Sequence, residues 1–76
     1  MQIDLKGKNI LVTGGAGDGL GHGICEAVDQ SGGRVIVNDL TLEVARGAAE
    51  KYNNALAIEG DISKADEVSR IFDRIK

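Results

Sequence analysis

The chain has almost nothing with which to staple or stiffen itself. Its 76 residues include one cysteine, no proline, no tryptophan, one tyrosine and one phenylalanine. A lone Cys25 closes no internal disulfide and points to a reduced, cytoplasmic setting. One cysteine and one histidine do not make a metal site, and none is expected. No apolar run approaches the ~20 residues that span a bilayer. The opening Met1-Gln2-Ile3-Asp4-Leu5-Lys6 lacks the apolar stretch of a secretion signal. Positive charge is also short: nine Lys and Arg stand against twelve Asp and Glu, a net charge of −3. That balance argues against nucleic acid or a membrane surface as a partner.

What is present suffices for one small domain over residues 1–76. The hydrophobic share of 42% is that of a folded chain rather than a disordered one. At this length only about 60% of the unfolded surface is buried, so the core is marginal.

Lys6-Gly7-Lys8 reads as a turn into a first strand, Asn9 to Thr13. That run is apolar without alternation, as expected of a parallel strand covered on both faces. Glycines from Gly14 to Gly19 follow, and then Leu20, Ile24, Ala27 and Val28 recur on one face of a helix. Ser31-Gly32-Gly33 ends it, with glycine where a left-handed cap is wanted. Arg34 to Asp39 is a second, β-branched strand. Thr41 caps a second helix, with Glu43 in its first turn and Leu42, Ala45, Ala48, Ala49 and Tyr52 facing inward. Asn53-Asn54 breaks that helix, and Ala55 to Glu59 is a third strand. Ser63-Lys64-Ala65-Asp66 has the form of a capping box opening a third helix, whose apolar face is Val68, Ile71, Phe72 and Ile75. The order βαβαβα predicts an α/β fold, a Rossmann-type parallel sheet with right-handed crossovers: the first half of a doubly wound fold.

The chemistry-bearing residues cluster at the strand ends. A strand that breaks into glycines and restarts as a helix offers bare amides and a helix N-terminus to a pyrophosphate. Gly14 permits the tight turn, Gly19 lets backbone approach phosphate, and Gly21 lets the helix pack near the strand. Gly17 and Asp18 of the same loop, Leu20 at the start of the helix and Leu40 after the second strand are further cofactor-binding candidates. Asp39 ends the second strand eighteen positions after Gly21, near the ~20 of the dinucleotide fingerprint. Its carboxylate is suited to accept from both ribose hydroxyls and to repel a 2′-phosphate. Leu40-Thr41-Leu42 follow it with no Lys or Arg, so NAD is favoured over NADP. Asp61 and Ile62 follow the third strand, where ligands of open α/β sheets lie. Asp61 reads either as an acceptor for the adenine amino group, with the Ile62 amide meeting a ring nitrogen, or as a helix-entry residue beside Ser63. His22 reads as a surface or loop-packing residue and Cys25 as a small buried hydrophobe.

Leu5-Lys6-Gly7-Lys8-Asn9-Ile10-Leu11-Val12-Thr13-Gly14-Gly15, Val35-Ile36-Val37-Asn38-Asp39 and Glu59-Gly60-Asp61-Ile62-Ser63 together resemble the short-chain dehydrogenase/reductase family, along the whole chain. The resemblance implies a Rossmann fold, with nicotinamide-dependent oxidation of alcohols or reduction of carbonyls. It matches Gly14, Gly19 and Gly21 to the family's three glycines, Asp39 to its ribose acid, and Asp61-Ile62 to its adenine contact. Two departures stand out. Four residues separate Gly14 from Gly19, one more than the usual Thr-Gly-x-x-x-Gly-x-Gly. The family's Tyr-x-x-x-Lys is also missing, since the only tyrosine, Tyr52, has Leu56 four places on. Without that acid/base no positioned group exchanges a proton with substrate. The chain therefore reads as the N-terminal portion of a longer dehydrogenase, inactive alone. Its small-molecule substrate would be met only in the full-length parent, and that parent would be a homo-oligomer. The alternatives are a non-catalytic nucleotide-binding module, an extended member of the family acting on a nucleotide sugar, and a methyltransferase half-domain.

Overall fold

The computed structural model describes residues 4–14 and 20–75, and of Leu20 only the backbone. Six elements alternate along the chain: β1 (Asn9–Thr13), α1 (Leu20–Gln30), β2 (Arg34–Asp39), α2 (Leu42–Ala49), β3 (Ala55–Glu59) and α3 (Ala65–Ile75). The three strands form one parallel sheet in the order β1-β2-β3. In register, Val12 pairs with Val37, and Val37 in turn with Ala57.

Strand parity divides the core in two. Val35 and Val37 of β2 face Cys25 and Val28 of α1 and Ala45 and Ala48 of α2, with Val12 beside them. Ile36, one residue out of phase, joins Ile58 of β3 and Ile71 of α3 on the opposite face. Successive side chains of a strand point to opposite faces, so a strand covered by helices on both sides must be apolar without alternation, as β2 is. Asn38 is the exception. It is 2% exposed and shares the parity of Ile36. Its Nδ2 donates to the carbonyls of Ile58 (3.2 Å) and Gly60 (3.4 Å), so the amide is buried with acceptors in place.

The local signals for turns and caps are realised with some changes of partner. Gly7 has φ +82° in the turn before β1, closed by Lys8 N–H donating to Leu5 C=O at 2.9 Å. After α1, Gly32 adopts φ +85°. Gly32 N–H donates to Asp29 C=O and Gly33 N–H to Val28 C=O, both at 3.1 Å. This pair of bonds is the Schellman arrangement, which a residue free of a Cβ completes at no steric cost. Thr41 caps α2, its Oγ1 accepting from Val44 N–H at 3.3 Å. Ser63 does not cap α3: the helix starts at Ala65, and the Ser63 hydroxyl donates instead to Asp61 Oδ1 at 2.7 Å. An ionised carboxylate two residues back is a stronger acceptor for that hydroxyl than the hydroxyl is for a helix amide.

Two helix faces are rotated from the expected ones. Ile24 is 42% exposed, and α1 instead buries Cys25 and Val28. In α3, Phe72 is 53% exposed while Ile71 is 1% exposed. Tyr52 lies beyond α2, half-buried, with its hydroxyl 3.0 Å from His22 Nδ1, so it joins the α2–β3 connection to the first turn of α1.

Candidate functional site

Parallel strands place all their carboxyl ends on one edge of the sheet, and ligands of such sheets lie there. At that edge a cleft of about 270 Å³ is lined by Gly14, Asn38, Asp39, Leu40, Gly60, Asp61 and Ile62. It gathers the ends of all three strands. Gly14 leaves β1 with φ +66°, the left-handed conformation a side chain would resist. Of the residues singled out in the sequence, Gly14, Asp39, Leu40, Asp61 and Ile62 meet here. Gly21 is the second residue of α1 and does not line the cleft. Gly17, Asp18 and Gly19 lie outside the described residues, as does the Leu20 side chain.

Asp39 is half-buried at the end of β2, and its Oδ1 accepts from Leu40 N–H at 2.8 Å. That bond fixes the orientation of the carboxylate. The Asp39 carbonyl accepts from Gly60 N–H at 3.0 Å, which sets the distance between the β2 and β3 exits. No Lys or Arg lines the cleft among the described residues. Leu40 and Ile62 are 68% and 53% exposed, two large apolar side chains at the cleft with little packed over them.

Asp61 serves two ends at once. Its Oδ1 accepts from the Ser63 hydroxyl (2.7 Å) and the Ser63 amide (2.9 Å). These bonds, with Lys64 adding a smaller share, hold its carboxyl below the ordinary value of 3.8. It is thus a helix-entry residue, as one reading of the sequence had it, and it also lines the cleft. Four residues near the site escaped sequence reasoning as contributors: Asn38, Gly60, Glu67 and Arg70. Glu67 Oε1 accepts from Asp61 N–H at 2.9 Å. Arg70 Nη2 donates to the Glu59 carbonyl at 2.5 Å, and its Nη1 to Glu59 Oε1 at 3.3 Å. Only Asn38 carried a readable signal, as a polar residue inside a run otherwise built for burial.

A second, larger cleft of about 370 Å³ runs between α2, β3 and α3, lined by Leu42, Arg46, Glu50, Leu56 and Arg74 among others. It holds none of the residues the sequence marks for chemistry. Away from both clefts, burial pushes the Cys25 thiol up, opposed by a hydrogen bond with Tyr52. Tyr52 is raised by burial, and by Cys25, Glu26 and Asp29 nearby. No helix among the described residues is long and apolar enough to cross a membrane.

The family model for the short chain dehydrogenase matches residues 8–76. The chain belongs to the short-chain dehydrogenase family. It is 42% identical over 73 residues to the hydroxynaphthalene reductase-like protein Arp2 of Metarhizium guizhouense, covering 90% of this chain and 27% of that protein. It is 37% identical over 78 residues to the versicolorin reductase stcU of Emericella nidulans, covering 92% of this chain and 28% of the relative. Among solved structures, a Pseudomonas aeruginosa RhlG/NADP active-site complex superposes with a TM-score of 0.84 at 26% identity, over 97% of this chain and 32% of its own. A hydroxysteroid dehydrogenase from Escherichia coli gives the same score at 27% identity, over 93% and 30%. The short-chain dehydrogenase chain described here therefore spans little more than a quarter of the length of the curated relatives it matches, and its sheet and helices are a Rossmann-type half.

Proposed function

We propose that this chain binds the adenosine side of a nicotinamide dinucleotide, with NAD preferred to NADP. On this reading it serves an oxidoreductase that moves hydride between the cofactor and an alcohol or carbonyl compound. The observation that carries the reading is the gathering of Gly14, Asp39 and the Asp61–Ile62 pair around one cleft at the carboxyl ends of three parallel strands. Each has a task there. Asp39, held by Leu40 N–H, accepts from the ribose hydroxyls. Asp61 accepts from the adenine 6-amino group while the Ile62 amide donates to a ring nitrogen. Leu40 and Ile62 supply exposed apolar surface for the planar base, and the glycine loop beginning at Gly14 receives the pyrophosphate.

NADP is the second reading, favoured by the NADP complex among the similar structures. Against it stand the Asp39 carboxylate at the ribose end and the lack of a lining Lys or Arg among the described residues. A 2′-phosphate placed there would meet like charge with no cation to offset it. Hydride transfer itself calls for an acid/base pair that the resemblance does not locate within residues 1–76, so this chain contributes cofactor binding. Calorimetric titration of the chain with NAD and, separately, NADP tests the reading. NAD binding at least about tenfold tighter is expected, a difference of ~1.4 kcal/mol. Equal affinities, or tighter NADP, would overturn the preference, and heat from neither would overturn the site.

A further inference from the structure

We infer that Glu67 and Arg70 of α3 are positioning residues that set the chain's discrimination for a 6-aminopurine, acting through the Asp61–Ile62 turn. The inference rests on the nucleotide reading above and adds to it residues that need not touch the ligand.

The exit of β3 is held residue by residue. Glu59 is taken by Arg70, whose guanidinium bonds both the Glu59 carbonyl and its carboxylate. Gly60 is taken from β2, its N–H by the Asp39 carbonyl and its C=O by Asn38 Nδ2. Asp61 N–H is taken by Glu67 Oε1, which itself lies 3.8 Å from Arg70 Nη2. Space is closed as well: a Cβ on Gly60 would come within 2.7 Å of Ile71 Cδ1 and 3.0 Å of Arg70 Nη2. The three acidic and basic side chains are neither buried nor free, at 38% exposure for Arg70, 35% for Glu59 and 30% for Glu67. Solvent exposure weakens such pairs as sources of stability. A bidentate guanidinium still fixes geometry, because its donors form a rigid fork.

Geometry is what base discrimination needs. Adenine presents a donor at its 6-position and an acceptor at N1, and hypoxanthine presents the reverse at both. An acceptor carboxylate at Asp61 and a donor amide at Ile62 match the first and oppose the second. A site built this way rejects the mismatched analogue strongly only while its groups cannot swing away. With Asp61 N–H bound by Glu67, and Asp61 Oδ1 committed to Ser63, Oδ2 makes none of these internal bonds and the turn is fixed around it.

The test compares NAD with nicotinamide hypoxanthine dinucleotide on the same chain. The two share the ribose, the pyrophosphate and the nicotinamide, so a general loss of fold or of phosphate binding lowers both alike and leaves their ratio unchanged. Wild-type chain is expected to prefer NAD by about tenfold or more, the scale of one hydrogen bond to a charged group. Glu67→Ala and Arg70→Ala should each cut that ratio about fivefold. Glu67→Gln, which retains an acceptor for Asp61 N–H, should keep it. A folded Glu67→Ala chain with an unchanged ratio overturns the inference while leaving the nucleotide reading intact. A wild-type chain that binds both dinucleotides equally overturns the inference together with the adenine contacts given to Asp61 and Ile62, and leaves the ribose and pyrophosphate contacts standing. Binding of neither overturns the nucleotide reading, and the inference with it. Should Glu67→Ala unfold by circular dichroism, Arg70→Lys carries the same comparison, since it keeps the charge and stem but loses the fork.

Discussion

Replacing Asp39 by Asn removes one charge and almost no volume. The variant keeps an oxygen able to accept from Leu40 N–H, the bond that holds the native carboxylate at 2.8 Å. The fold should therefore survive. What changes is the partner offered to the ribose. Hydrogen bonds to a charged acceptor are worth about 1.5–3 kcal/mol, and an amide both weakens one and turns a donor toward the hydroxyls. Losing about 2 kcal/mol corresponds to a fall of about thirtyfold in NAD affinity. NADP responds in the opposite sense. Two unit charges 4 Å apart repel by about 1 kcal/mol in water and about 4 near a protein surface. The half-buried position of Asp39 favours the lower end of that range. Relief of about 1 kcal/mol would strengthen NADP binding about fivefold. Together the ratio of NAD to NADP affinity should fall by about two orders of magnitude, from a loss on one nucleotide and a gain on the other, which reverses a preference of about tenfold. Parallel calorimetric titrations near 0.15 M salt, where screening acts beyond ~8 Å, measure both. An Asp39→Asn chain that melts normally and shows the wild-type preference would refute the assignment of Asp39 to the ribose.

Three further outcomes are expected. Ile71→Ala should cost about 3 kcal/mol in urea unfolding, because Ile71 is 1% exposed and closes the Ile36–Ile58 side of the core. Phe72→Ala at 53% exposure should cost less than about 0.5, and the reverse ranking would contradict the packing of α3. Asp61 has a folded pKa below its ordinary 3.8, set first by the Ser63 hydroxyl. Its contribution to stability is present above 3.8 and is lost as pH falls through the folded value. Ser63→Ala should raise the Asp61 value in a carboxyl NMR titration, and an unmoved titration would contradict the bond. Thr41→Ala should destabilise the chain by about 1 kcal/mol in thermal unfolding through loss of the α2 cap.

Much of the fold was legible because its signals are local. The three strands fall where β-branched or apolar runs lie between glycines and polar breaks, and Gly32 and Thr41 terminate and cap as their types require. Helix faces were less legible. In α1, Ile24 and Cys25 are neighbours of similar apolar character, and only the approach of the helix to β2 decides that the smaller Cys25 goes inside. The pair Ile71 and Phe72 poses the same ambiguity one helix later, and the site opposite Ile36 and Ile58 takes the aliphatic chain. That Asp39 and Asp61 would stand at the sheet's carboxyl edge was legible, because each directly ends or follows a readable strand. Glu67 and Arg70 were not. Each looks like a solvated helix charge in the sequence, and only the tertiary placement of α3 brings them to the Asp61 amide and to Glu59.

NAD should bind at one place on the sheet, and amide chemical-shift mapping of the folded chain during NAD titration locates it. Saturable shifts should concentrate at Gly14, Asp39, Leu40, Asp61 and Ile62, with Leu42, Arg46 and Arg74 along the larger cleft unmoved. Shifts centred on that larger cleft, or a well-dispersed spectrum that NAD leaves unchanged, would contradict the account.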